Sequence, residues 1–84
     1  MGSDARIRIL YELLLEGRRF GARHQKGVYI IKMHVYELAA RTGLTRETAS
    51  RELSKIKSLG IKINKQGIEV QNLNKLEDEL DKIT

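Results

Sequence analysis

Apolar positions along this chain recur with two different periods, and the switches between them mark out the elements. Ile7, Ile9, Leu10, Tyr11, Leu13, Leu14 and Leu15 crowd into one proline-free segment. They predict a helix from about Ala5 to Glu16, with Ser3 or Asp4 as N-cap and Gly17 as C-cap. Ile7, Leu10, Tyr11 and Leu14 make one stripe at helical spacing, and Ile9 and Leu13 lie on a different face. A helix apolar on two faces sits centrally or meets a partner chain. Gly17 to Gly27 reads as a basic loop in which Phe20 is the one apolar anchor. Val28-Tyr29-Ile30-Ile31-Lys32-Met33, rich in β-branched and aromatic residues, predicts a strand.

The helical period returns from His34 to Thr42, where Tyr36 or Val35 faces inward together with Leu38 and Ala39, and Gly43 breaks it. Thr45 has the residue type of an N-cap and opens another helix, which runs to about Leu59 with Gly60 just beyond its end. Ala49, Leu53 and Ile56 form its buried stripe. Ile61-Lys62-Ile63-Asn64 and Ile68-Glu69-Val70-Gln71 alternate with period two. Joined through Lys65-Gln66-Gly67, with Gly67 at positive φ, they predict a β-hairpin. From Asn72 to Ile83 the stripe Leu73, Leu76, Leu80 and Ile83 predicts a last helix.

Size and composition narrow the choices. With 84 residues the chain holds one small domain, and without Cys it has no disulfide, Cys-ligated zinc or thiol nucleophile. The absence of Cys fits a cytoplasmic protein. No apolar run is long enough to span a membrane, so a membrane partner is not expected. Met1-Gly2-Ser3 reads as an expression-tag remnant outside the fold. Net charge is +5 but uneven. Residues 1–68 carry 14 Lys/Arg against 6 Asp/Glu, while residues 69–84 carry 2 against 5. A basic domain over residues 4–76 therefore ends in an acidic helical extension over residues 77–84. The basic excess favours a polyanionic partner.

The order of elements carries more information than the charge. Ala39, Gly43 and Ala49 supply a small residue, a turn and an apolar contact at intervals that let two helices cross steeply, as in a helix-turn-helix. A following hairpin makes the pattern a winged helix-turn-helix: mainly α with a small β-hairpin, a three-helix core plus wing, and a C-terminal helix. If Ala49, Leu53 and Ile56 are buried, Arg46, Glu47, Ser50, Arg51 and Ser54 lie on the opposite side. In an arbitrary helix such a face is simply solvated, with an Arg–Glu pair. In a helix-turn-helix this end of the second helix enters the major groove. Arg donates there to guanine O6 and N7, Glu accepts from cytosine N4, and Ser is permissive. The expected partner is double-stranded DNA.

Thr45-Arg46-Glu47-Thr48-Ala49-Ser50-Arg51, with Leu53 after it, is similar to the recognition-helix motif of the cyclic AMP receptor protein and Fnr-type regulators. The likeness extends back through Gly43, Leu38-Ala39 and Arg6 to Leu14, and forward through Leu59-Gly60-Ile61 to Leu76. The resemblance implies a DNA-binding domain of a transcription regulator. It implies base-reading roles for Arg46, Glu47, Ser50 and Arg51 and phosphate contacts from Thr45, Thr48, Lys32 and Lys65. Lys55 and Lys62 join the expected phosphate contacts on the basic face. The family's sensor barrel and long dimerisation helix have no counterpart in this sequence, which implies either an excised fragment of a longer, dimeric protein or a stand-alone module; the Met1-Gly2-Ser3 start favours the fragment. RNA polymerase is a further expected partner, through the loop over residues 17–27. His34 departs from the family, which usually has Thr or Ser there as a helix cap.

An enzyme is not expected. His24 and His34 have no Cys or carboxylate cluster at metal-ligand spacing, and no cofactor motif is present. The rival reading is a winged helix serving as a protein-interaction or dimerisation module, with Ile9 and Leu13 or the C-terminal leucine stripe as its contact face. Such a module has no need of Arg46 and Arg51 on an exposed face.

Overall fold

In the computed structural model, residues 2–19, 22–23 and 28–84 are described. The chain runs α1 (Gly2–Arg19), β1 (Ala22–Arg23), β2 (Tyr29–Ile31), α2 (Val35–Thr42), α3 (Arg46–Lys55), a 3-10 turn (Lys57–Leu59), β3 (Ile61–Asn64), β4 (Gly67–Val70) and α4 (Leu73–Ile83). The mainly helical winged helix-turn-helix read from the sequence is the fold observed.

α1 is longer than its pattern predicts. It starts at Gly2, inside the segment read as a tag, and passes through Gly17 to Arg19. Gly17 is not a C-cap but a point of close packing. A Cβ there would lie 2.9 Å from Leu73 Cδ2 of α4, so the missing side chain lets α4 approach. The buried arc also differs from the predicted stripe. Ile9, Leu10 and Leu13 are fully buried and Leu14 nearly so, whereas Tyr11 is exposed. α1 packs against α2, α3, α4 and β2, which makes it the central helix of the domain. A helix covered from several sides buries a wide arc, and Tyr11 is left outside it.

The predicted hairpin is the larger part of a four-stranded antiparallel sheet of order β1-β2-β4-β3. β3 and β4 pair as Ile61↔Val70, Ile63↔Ile68 and Asn64↔Gly67, so the wing turns on Lys65-Gln66 alone. β2 closes the other edge of β4 through Tyr29↔Val70 and Ile31↔Ile68. This register puts β4 in the middle, and Ile68 and Val70 are fully buried. Gly67 is required by space as well as by its φ of 140°. A Cβ there would meet the Ile31 carbonyl oxygen at 2.2 Å. The wing is thereby held tightly against the strand that leads into α2.

The α2–α3 turn follows the sequence closely. Gly43 ends α2 in the left-handed conformation, at φ 71°, and its N–H points back to the carbonyls of Ala39 and Ala40. Thr45 caps α3, its side chain accepting from Thr48 N. Ala39 and Ala49 are both buried where the helices cross. The predicted helix from Thr45 to Leu59 is divided, however. Its α-helical part stops at Lys55, where the Ile56 N–H is shared between the carbonyls of Glu52 and Leu53. The last turn then tightens into a 3-10 segment. α4 lies along α1 with Leu73 and Leu76 buried, and Leu80 and Ile83 packed against the same core.

Candidate nucleic-acid interface

α3 presents two chemically different sides. Ala49, Leu53 and Ile56 are buried beneath it, as predicted. Glu47, Ser50 and Arg51 are exposed on the opposite side, and Arg46 is exposed at the edge of the buried stripe. Arg46 and Glu47 sit in the first turn, where the positive end of the helix dipole adds to the field of the arginines. Thr45 Oγ1 accepts from Thr48 N at 3.1 Å and donates to Thr48 Oγ1 at 3.0 Å. Arg51 Nη2 donates to the same Thr48 hydroxyl at 3.5 Å. These contacts tether the guanidinium of Arg51 to the first turn, at the end of α3 that carries Arg46 and Glu47.

The ion pairs separate these arginines from the others on the body. Arg6 pairs with Glu52, Arg8 with Asp4, Arg18 with Glu77, and Arg41 with both Glu12 and Glu16. Among the described residues, no carboxylate pairs with Arg46 or Arg51. Glu47 and Arg51 stand four apart, the spacing for a helical salt bridge, yet Arg51 leans on Thr48 instead. This face leaves two guanidinium groups open to an external acceptor.

The expected phosphate contacts fall into two groups. Lys32 is exposed just before α2, and Lys62 and Lys65 are exposed on the wing. Thr45 is exposed and Thr48 half-buried at the start of α3. Lys55 is placed differently. Its Nζ lies 3.4 Å from Glu52 Oε2, so its charge is already engaged. Glu52 itself was missed in the sequence. It is 2% exposed, and Arg6 Nε from α1 approaches its Oε1 at 3.2 Å. The clue was faint: Glu52 flanks the arc that Ala49, Leu53 and Ile56 define, and a carboxylate buried there needs a cation.

His34 is the N-cap of α2 without a side-chain bond of the Thr or Ser kind. Glu37 compensates from inside the helix, its Oε1 accepting from the His34 N–H at 3.1 Å. The basic loop over residues 17–27 is only partly described. Gly17, Arg18 and Arg19 belong to α1, and Ala22 and Arg23 form β1. Phe20, Gly21, His24 and Lys26 lie outside the described residues. Among the described residues, no cluster of His, Asp or Glu could hold a metal ion, and no helix is long and apolar enough to cross a membrane. The faces offered for a protein-interaction module are used internally: Ile9 and Leu13 are fully buried, and the α4 stripe packs on α1.

Two packed helices joined by a tight turn, exposed arginines on the second helix and an adjoining hairpin define the class, a winged helix-turn-helix domain. Comparison with known proteins gives the family. The model of the Crp-like helix-turn-helix domain matches residues 7–79, and the chain belongs to that family. Its class is that of DNA-binding domains in transcription regulation. Among solved structures it is similar to the catabolite activator protein of Thermus thermophilus, with 27% identity and a TM-score of 0.74 over 99% of this chain and 37% of that one. It is similar to the CO-dependent transcription factor CooA of Carboxydothermus hydrogenoformans, with 26% identity and a TM-score of 0.76 over 89% of this chain and 36% of that one. A CRP/FNR-family transcriptional regulator of Thermus thermophilus gives 25% identity and a TM-score of 0.77 over 90% of this chain and 40% of that one. The chain thus spans less than half the length of each of these proteins. No curated protein sequence matches it.

Proposed function

We propose that this domain binds duplex DNA sequence-specifically, with α3 in the major groove and the wing on the phosphate backbone. The observation that carries the reading is the exposed face of α3, where Arg46 and Arg51 have no carboxylate partner among the described residues, while Arg6, Arg8, Arg18 and Arg41 each have one. Arg46 and Arg51 donate to guanine edges, Glu47 accepts from cytosine, and Ser50 meets either base class. Thr45, Thr48, Lys32, Lys62 and Lys65 hold phosphates and set the register of the helix in the groove. Lys55 contributes to the field of that face while shared with Glu52. The mechanism is binding, without a catalytic step.

The whole protein is read as a dimer, because a two-fold assembly places two α3 helices in successive major grooves of a near-palindromic site. RNA polymerase is its further proposed partner, contacted through the loop over residues 17–27. The experiment is fluorescence anisotropy of the domain on duplex DNA at several salt concentrations. If Lys32, Lys62 and Lys65 each neutralise a phosphate, log K falls against log salt with a slope near about −3. Lys65→Ala should flatten that slope by about one unit and weaken binding alike on all sequences. No binding to any duplex at low salt would overturn the proposal.

A further inference from the structure

Glu52 is the one buried charged side chain among the described residues, and it lies on the helix that carries the candidate base readers. Both of its oxygens are engaged. Arg6 Nε of α1 approaches Oε1 at 3.2 Å, and Lys55 Nζ approaches Oε2 at 3.4 Å. The two cations act differently. Lys55 belongs to α3, three residues further on, so it travels with the helix and only offsets charge. Arg6 comes from another element, and its hydrogen bond is directional. A buried ion pair seldom stabilises a fold more than apolar residues of the same volume. What this pair adds over an apolar contact is a defined geometry between α1 and α3.

α3 has a use for such a constraint. Its N-terminal end is held by the Gly43 turn and the Thr45 cap. Towards its other end, regular helical bonding stops at Lys55, where the Ile56 N–H is split between two carbonyls. Beneath the helix lie Ala49, Leu53 and Ile56, and apolar burial is non-directional. It keeps the helix on the core without sharply defining its roll. Side chains reach roughly 5–6 Å from a helix axis, so a roll of about 15° carries their ends about 1.5 Å sideways. A shift of that size breaks a hydrogen bond to a base edge.

We propose that Glu52 is a positioning residue for base reading: bonded to Arg6, it sets the roll of α3 on α1 and so aims Arg46, Glu47, Ser50 and Arg51 together. The inference rests on the reading of α3 as the base-reading helix, and it extends that reading to a buried residue outside the exposed set. Lys32, Lys62 and Lys65 stand on other segments of the chain, so the phosphate contacts proposed for them do not depend on the roll of α3. Loss of the tie therefore lowers discrimination between sequences and spares general attraction to DNA.

The test compares Glu52→Leu with Glu52→Gln. Both remove the same charge, so any gain in general attraction to DNA is common to them. Gln keeps an oxygen for Arg6 Nε, and Leu does not. Wild type and variants are titrated at fixed salt on a duplex selected by the wild type from a random pool and on a scrambled one. Thermal unfolding checks that each variant is folded at the assay temperature, and Glu52→Met serves as a second apolar replacement. The ratio of the two affinities should fall about ten-fold in Glu52→Leu and Glu52→Met and at most about two-fold in Glu52→Gln. A ratio unchanged in the apolar variants, or lowered as much in Glu52→Gln, would overturn the positioning role and leave the DNA reading standing. A wild type that bound no duplex at low salt, or bound both duplexes equally, would overturn the underlying reading instead.

Discussion

The Arg6–Glu52 pair ties α1 to α3, and its two partners should respond unequally to removal. Glu52 is the desolvated member, its side chain 2% exposed against 27% for Arg6 and 47% for Lys55. Arg6→Met keeps much of the apolar stem but leaves a buried carboxylate with one half-exposed lysine. Breaking a buried pair so that a charge is uncompensated costs about 3–5 kcal/mol. Lys55 at 3.4 Å preserves part of the compensation, so a loss of about 2–3 kcal/mol is expected. Glu52→Leu does the opposite. It removes the buried charge, refills the space with apolar atoms and leaves both cations to water, for a loss of about 0–1 kcal/mol. In a domain of this size each kcal/mol moves the melting temperature by about 4–8 °C. Arg6→Met should therefore melt about 8–24 °C lower than wild type, and Glu52→Leu within about 8 °C of it. Thermal and urea unfolding, followed by far-ultraviolet circular dichroism, measure both. If Glu52→Leu proved as damaging as Arg6→Met, burial of the carboxylate would not be the controlling factor.

Other positions give independent tests of the framework. Gly67→Ala forces a Cβ to within 2.2 Å of the Ile31 carbonyl; urea unfolding should show a loss of at least about 2 kcal/mol, and a neutral result would contradict the close packing of wing on β2. Thr45→Ala removes the side-chain acceptor of Thr48 N and should cost about 1 kcal/mol, while Thr45→Ser, which keeps the hydroxyl, should cost much less.

Much of the fold was legible because the residues that determine it act locally. Thr45 and Gly43 announce the ends of two helices through backbone chemistry that a linear sequence carries directly. Ile61, Ile63, Ile68 and Val70 alternate, and that alternation sets the register of the wing. What escaped depends on contacts between distant segments. Gly17 looks like a helix end in isolation, and only the approach of Leu73 explains why the helix continues through it. Tyr11 fits the predicted stripe as well as Leu13 does, yet the arc that becomes buried is decided by the elements packed around α1. β2 was recognised as a strand, but its pairing with β4 joins segments far apart in the chain, and that partner cannot be read from periodicity.

The candidate site divides along the same line. Arg46, Glu47, Ser50 and Arg51 were expected on the exposed side of α3, and the structure exposes all four, Arg46 at the edge beside Leu53. Glu52 and the diversion of Lys55 were hidden, because the cation that meets this carboxylate from α1 lies 46 residues away.

The central claim is that α3 reads base edges through Arg46. The most direct measurement begins with a duplex selected from a random pool by the wild-type domain. Affinities of wild type and Arg46→Ala are then compared on that duplex and on a scrambled one at fixed salt. The account predicts that Arg46→Ala loses about 1–3 kcal/mol on the selected duplex and little on the scrambled one, so that discrimination collapses. An equal loss on both duplexes would contradict it, and would make Arg46 a phosphate contact instead of a reader of bases.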